Sequence, residues 1–308
     1  IIRIKFRQMD EIILPNFLCL GAPKSGTTSL FEILKQHPEI GLSSFKETHF
    51  FDTDINWNKG KKWYSDSYFS TLKTKKRIGE FTPSYLSKEI CAQRIKDTLE
   101  DKVKFVVILR NPIDRAFSHY LHTSRDEYEK LSFIESLSKE TERLESFVKE
   151  KDDLSYARFC YKDSSMYSSH LKNYFNIFNK EQFCIILFND FVKNRSSTIN
   201  KILSFLDLST EFKMNIDLKI NPASEARSVN LKKIMTKKSI IRTLLKYLIP
   251  SLSLRQRIKN KIHERNNKAA VKPILTTEER LFCYNNYFKN DIINLEELLN
   301  IDLKDWKE

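Results

Sequence analysis

Three stretches of this sequence carry side chains whose types and spacing suit work on anions. The first is Gly21-Ala-Pro-Lys-Ser-Gly-Thr-Thr28, where Gly21 and Gly26 bracket Lys24 and Ser25, and Thr27, Thr28 and Ser29 follow. A glycine-containing turn that opens a helix aims backbone N–H groups at one point, and hydroxyls and an ammonium can supplement them. The second is Arg110-Asn-Pro-Ile-Asp-Arg-Ala-Phe-Ser118. Arg110 and Ser118 stand about two helical turns apart there, so both can face one phosphate. The third is Lys46-Glu-Thr-His-Phe-Phe-Asp52. If extended, it presents Glu47 and His49 on one face, a carboxylate able to take a proton beside an imidazole. Taken alone, Glu47 reads as a surface carboxylate, His49 as a satisfied half-buried histidine and Arg115 as a solvated helix charge. The phosphate loop upstream is what gives the first two a chemical role.

The elements that must position these groups are legible around them. Residues 16–20 (NFLCL) form a short apolar run ending at Gly21, the signature of a buried parallel strand. Leu30, Ile33 and Leu34 then recur at helical spacing over residues 29–36. Residues 103–109 (VKFVVIL) predict a second strand, and Pro112 suits the first turn of the helix that follows. A third strand is expected at residues 183–188 (FCIILF), preceded by a helical stretch carrying Leu171, Tyr174 and Phe175. Further helices are expected at 88–99, 133–149, 196–206 and 277–299. This alternation predicts an α/β, P-loop-like three-layer fold, with a central, mainly parallel sheet flanked by helices. One domain over residues 1–308 is expected, with a basic amphipathic segment at 230–272.

The Gly21-x4-Gly26 spacing copies the glycines of a nucleoside-triphosphate loop, but the Lys-Ser/Thr that should follow is replaced by Thr27-Thr28. The lysine sits inside the loop, and residues 103–109 end in Arg110 where a Mg²⁺-binding aspartate would be needed. The expected ligand is therefore an anion bound without metal. A P-loop kinase or hydrolase and a nucleic-acid-binding protein using the basic segment stay open as rival classes; charge alone supports the latter.

The first two segments resemble the 5′-phosphosulfate loop and 3′-phosphate motif of sulfotransferases that use 3′-phosphoadenosine 5′-phosphosulfate (PAPS). The KETHFFD segment places the resemblance nearest the heparan sulfate N- and 3-O-sulfotransferases and their bacterial relatives. GEFTPSYL at 79–86, the 167–191 region and the ending at Trp306 extend it over most of the chain. The resemblance implies that Lys24, Ser25, Gly26, Thr27, Thr28 and Ser29 hold the 5′-phosphosulfate and that Arg110 and Ser118 hold the 3′-phosphate. It adds Arg227, in the 221–230 loop, as a further nucleotide contact. It makes Glu47 the base, sets His49 and Asp52 beside it at the acceptor, and has Lys24 stabilise the leaving phosphate. The implied acceptor is a hydroxyl or amine on a saccharide, with small-molecule, lipid and carrier-bound alcohols as alternatives. One departure is Phe81, where the 3-O-sulfotransferases carry a second active-site lysine.

The bulk properties fit this picture. Apolar residues make up 41% of the chain and no run approaches a membrane span. The formal charge is +13, and residues 230–272 hold 13 Lys or Arg against one acid, Glu264. Within it, Ile240, Ile241, Leu244, Leu245, Leu248 and Ile249 alternate with Arg242 and Lys246, an amphipathic pattern. It suits a helix docked on the core, a grip on an anionic glycan, or peripheral contact with an anionic membrane. The five cysteines are dispersed, as in a reducing compartment, and Cys19 and Cys184 are expected to be buried thiols. A cytoplasmic location is the expectation. The start at Ile1 leaves open an upstream anchor, which would make this a lumenal Golgi domain.

Overall fold

A computed structural model describes residues 11–218, 224–226, 267–269 and 273–307. Five strands form one parallel sheet: β1 (Phe17–Gly21), β2 (Ile40–Leu42), β3 (Arg77–Phe81), β4 (Lys104–Leu109) and β5 (Phe183–Leu187). Their spatial order is β2-β3-β1-β4-β5. Every residue of β1 is buried, as is all of β4 beyond Lys104, so these central strands read as unbroken apolar runs. Because β1 lies between β3 and β4, the connections leaving its carboxyl end and that of β4 diverge. That crevice is where ligands of open α/β sheets bind.

Helices cover both faces. α1 (Thr27–Leu34) places Leu30, Phe31, Ile33 and Leu34 against Phe17, Cys19, Val106 and Ile108 of the sheet. α2 (Asp54–Trp57) and α3 (Gly60–Tyr68) follow β2. α4 (Glu89–Thr98) buries Cys91, Ala92 and Ile95. α5 (Pro112–Arg125) starts at Asn111, whose side chain accepts the N–H groups of Ile113 and Asp114. This is an N-cap followed by proline at the first helical position, as residue type dictates. The expected helix at 133–149 is two, α6 (Phe133–Ser138) and α7 (Glu140–Glu150), and α8 (Asp153–Phe159) comes next. α9 (Tyr167–Phe175) brings Tyr174 against Phe105 on the opposite sheet face, ring centroids 6.0 Å apart. α10 (Phe188–Lys193) and α11 (Arg195–Phe205) follow β5. The expected helix at 277–299 is α12 (Thr277–Cys283), a π-helical turn at Tyr284–Phe288, and α13 (Lys289–Leu299).

Residues 219–275 form a separate compact unit. Its described part includes an antiparallel pair, Ser224–Ala226 with Asn267–Ala269, and the rest of the 230–272 basic segment lies outside the described residues. Cys19 and Cys184 are buried as expected. Among the described residues no helix is long and apolar enough to cross a membrane.

Candidate active site

The loop after β1 is shaped by two positions that require glycine. Gly21 has φ +151°, and a Cβ there would lie 2.6 Å from the Pro83 carbonyl oxygen. Gly26 has φ +86°, and a Cβ there would press on the rings of Phe188 and Phe191 at 3.2 Å. Lys24 between them also adopts a left-handed conformation, φ 66°, unusual for a residue with a side chain. The Ala22 N–H bonds Ile108 O at 2.8 Å, which ties the loop to β4. Helix α1 then begins at Thr27 without any side-chain cap and with no acid in its first turn. Its leading N–H groups have no intrahelical acceptor ahead of them and face the loop. Ser25 is wholly buried, and its Oγ has no hydrogen-bond partner among the described residues. A buried hydroxyl left unpaired beside an uncapped helix start fits an anionic ligand, since satisfied buried polar groups are the rule.

Arg110 meets this loop directly: its Nη1 donates to Lys24 O at 3.0 Å, and its guanidinium lies 4.9 Å from the Phe188 ring centroid. Burial depresses the Arg110 pKa. Lys24 is pushed down to about 8, first by burial and then by the charges of Arg125 and Arg115, against the opposing pull of Glu47 and Asp126. Arg115 corrects the sequence expectation. It is fully buried rather than solvated, with Nε on Ser165 Oγ at 2.5 Å and Nη2 on the carbonyls of Tyr161 and Cys160. Arg115 thus presses on both Lys24 and Arg110, Arg125 adds to the pressure on Lys24, and an anion there would relieve that repulsion. Ser118 is half-buried on α5, and no hydrogen bond among the described residues joins it to the loop. Thr27 is buried while Thr28 and Ser29 are half-buried in the first turn of α1. Arg227 lies outside the described residues.

The Glu47 segment is not extended. Glu47 and His49 both adopt left-handed backbone conformations, φ 65° and 51°. The expected division of faces still appears: Thr48 and Phe50 are buried, while the Glu47 and His49 side chains are 45% and 44% exposed. Two kinks, rather than a pleat, throw the alternate side chains outward. The Glu47 N–H bonds Phe81 O at 2.9 Å, and its carboxylate is paired with Lys46. His49 Nδ1 lies 2.9 Å from Asp52 Oδ2, a bond that raises the imidazole's pKa. For Asp52 burial pushes upward, but the bonds from His49 and from Ser84 Oγ (2.6 Å) outweigh it and hold the carboxyl below its ordinary range.

Glu80 was not singled out by sequence reasoning. It is wholly buried on β3 and accepts from Tyr64 OH at 2.7 Å, Thr48 Oγ1 at 2.9 Å and Thr82 Oγ1. Burial raises its pKa against these hydroxyl bonds. Tyr85 OH accepts the N–H groups of Phe50 and Phe51 at 2.9 and 3.3 Å. These hydroxyls fix the kinked segment from beneath. Phe81 is fully buried between Phe17 and Phe31, so this position offers no charge to the acceptor side.

Residues 14–246 match the sulfotransferase domain family, and the chain belongs to it. It is 28% identical to a sulfotransferase from Alicyclobacillus acidocaldarius of known structure, with a TM-score of 0.66 over 96% of this chain and 100% of that one. It is 37% identical over 111 residues to a membrane-associated sulfotransferase of Dictyostelium discoideum, covering 35% of this chain and 23% of the relative. It is 27% identical over 199 residues to human heparan sulfate glucosamine 3-O-sulfotransferase 5, covering 63% of this chain and 54% of the relative. The chain thus spans about half, or less, of the length of these two curated relatives.

Proposed function

We propose that this chain moves a sulfuryl group from PAPS to a hydroxyl or amine of a saccharide. The observation that carries this reading is the position of Lys24. Its carbonyl is held by Arg110 of the second motif, and its ammonium feels the carboxylate of Glu47 from the third. One residue thus joins the loop suited to a phosphosulfate, the arginine suited to a 3′-phosphate and the candidate base. Bound here, PAPS supplies an electrophilic sulfur and a phosphate leaving group. Glu47 takes the proton from the acceptor O–H or N–H as that atom bonds to sulfur. The Lys24 ammonium, the uncapped N–H groups of α1 and Ser25 Oγ hold the charge that collects on the phosphate oxygen as the S–O bond breaks. Arg110 and Ser118 fix the far end of the nucleotide. His49 and Asp52 orient the acceptor.

The saccharide assignment draws on the relative named for heparan sulfate glucosamine. The uncharged position 81 argues for an acceptor gripped differently from that polymer. Calorimetry with 3′-phosphoadenosine 5′-phosphate (PAP) in a chelator tests the donor half: metal-free binding is expected. Mg²⁺-dependent ATP turnover without PAP binding overturns it in favour of a nucleotide kinase or hydrolase. A labelled-donor screen over glycans, small alcohols and lipids tests the acceptor half.

A further inference from the structure

Arg115 raises a question that the reaction leaves unanswered, namely what holds a buried guanidinium against two other cations. Its partners all come from one turn, residues 160–165: Tyr161 O, Cys160 O and Ser165 Oγ. That turn is gripped from α7 at two points. Glu140, itself fully buried, accepts the Lys162 N–H at 2.6 Å on one carboxylate oxygen and the Asp163 N–H at 2.7 Å on the other. Arg143, one turn along the helix, binds Glu129 at 2.7 Å, and Glu129 in turn accepts from Tyr161 OH at 3.1 Å. A buried carboxylate is costly, and burial pushes that of Glu140 up to about 7. Both of its oxygens are used by N–H donors, so no neutral residue of this size serves both. A glutamine turns an NH₂ toward one of the two N–H groups.

The same turn reaches the donor loop through the start of α5: Ser165 Oγ donates to Pro112 O at 3.3 Å, and Arg110, two residues before Pro112, donates to Lys24 O at 3.0 Å. The charge of Arg115 also lowers the pKa of Lys24, Arg110 and His119, and its Nη1 is buried without a partner among the described residues. We propose that Glu140 is a positioning residue for the donor site: from α7 it sets the 160–165 turn, and through that turn it holds Arg115 and the start of α5 against the anion-binding loop. The inference rests on the donor reading above.

A double-mutant cycle on PAP affinity tests it, read by calorimetry beside melting temperature and steady-state kinetics. Glu140→Gln is expected to raise the Kd for PAP about tenfold, the effect of one displaced charged hydrogen bond. The KM for donor should rise with it, while the KM for acceptor stays put. In an Arg115→Lys background the same change should add less than about twofold, because the group it acts through is already altered. If Arg115→Lys does not fold, Ser165→Ala takes its place, since it removes an acceptor on Arg115 Nε and leaves Glu140 intact. A lower melting temperature with unchanged Kd overturns the proposal, reducing Glu140 to a fold-stabilising role. Equal losses in both backgrounds also overturn it. Absence of PAP binding by the wild type overturns the donor reading and this inference with it.

Discussion

The charge of Glu47 is felt at Lys24 in the loop, yet the loop and the Glu47 segment handle charge in opposite ways. Around the loop, Arg115 is buried and Lys24 and Arg110 are half-buried, and both guanidinium groups are tied to backbone carbonyls: Arg110 on Lys24 O, Arg115 on Tyr161 O. Around Glu47, the side chains of Glu47 and His49 are nearly half exposed, and what is buried is a set of hydroxyls gathered on Glu80. A site that always takes the same nucleotide can be built into the core. A site that must admit a larger partner keeps its acid–base groups at the surface and fixes only the backbone beneath them. On this comparison, damage to the Glu47 side should cost turnover, and damage to the loop should cost nucleotide affinity.

The largest effect is expected from Glu47→Gln. Removing a positioned base costs about 10²–10⁴-fold in turnover, and PAP affinity should stay close to wild type because the lost ion pair with Lys46 is half-exposed and the pull of Glu47 on Lys24 is weaker than that of burial, Arg125 and Arg115. Wild-type turnover in that variant would sink the assignment. Next comes Lys24. Its pKa of about 8 means that the free protein loses this ammonium as pH rises through 8. PAP affinity should therefore fall between about pH 7 and 9, and Lys24→Gln should remove that step while weakening binding at pH 7 by about 10- to 100-fold. An unchanged pH dependence of Kd in the variant would show that another group titrates.

Asp52→Asn should be the mildest, about fivefold in turnover, the size of one hydrogen bond. Its distinctive mark is the His49 titration followed by NMR. Asp52 holds that pKa up, so the substitution should shift it downward. The sign for stability follows: the pair stabilises the fold fully below the ordinary imidazole range and loses that contribution as pH rises through the raised value. The variant should lack this dependence in thermal melts at graded pH.

Much of this arrangement is legible in the residues themselves, and the parts that are not share a cause. β1, β4 and β5 stand out because buried parallel strands need apolar side chains throughout. β3 hides because RIGEF carries Arg77 and Glu80, and Glu80 becomes tolerable in the interior only through hydroxyls of Thr48, Tyr64 and Thr82. β2 hides because it is three residues long. The loop and Arg110 were readable as an anion site because backbone geometry and a single strand end define them. Arg115 reads as solvated because its acceptors, Ser165 Oγ and two carbonyls, lie 45 to 50 positions away, and a carbonyl carries no residue-type signal. The kinks at Glu47 and His49 were invisible for a related reason: alternation of side-chain burial looks alike whether a pleat or two left-handed residues produce it.

The short 3₁₀ turn Pro83–Tyr85 touches both halves at once. Pro83 O occupies the space that makes Gly21 obligatory, and the Leu86 N–H bonds Leu20 O at 2.9 Å. On its other side Ser84 holds Asp52, and Tyr85 OH holds the backbone of Phe50 and Phe51. The spacing between the Gly21–Thr28 loop and the Glu47 segment is therefore gauged by a turn of three residues. Displacement in line tolerates little error, and about 1 Å of misplacement costs on the order of 10²-fold. Chimeras that exchange the 43–58 segment between relatives while leaving this spacer behind should bind both partners and still join them slowly.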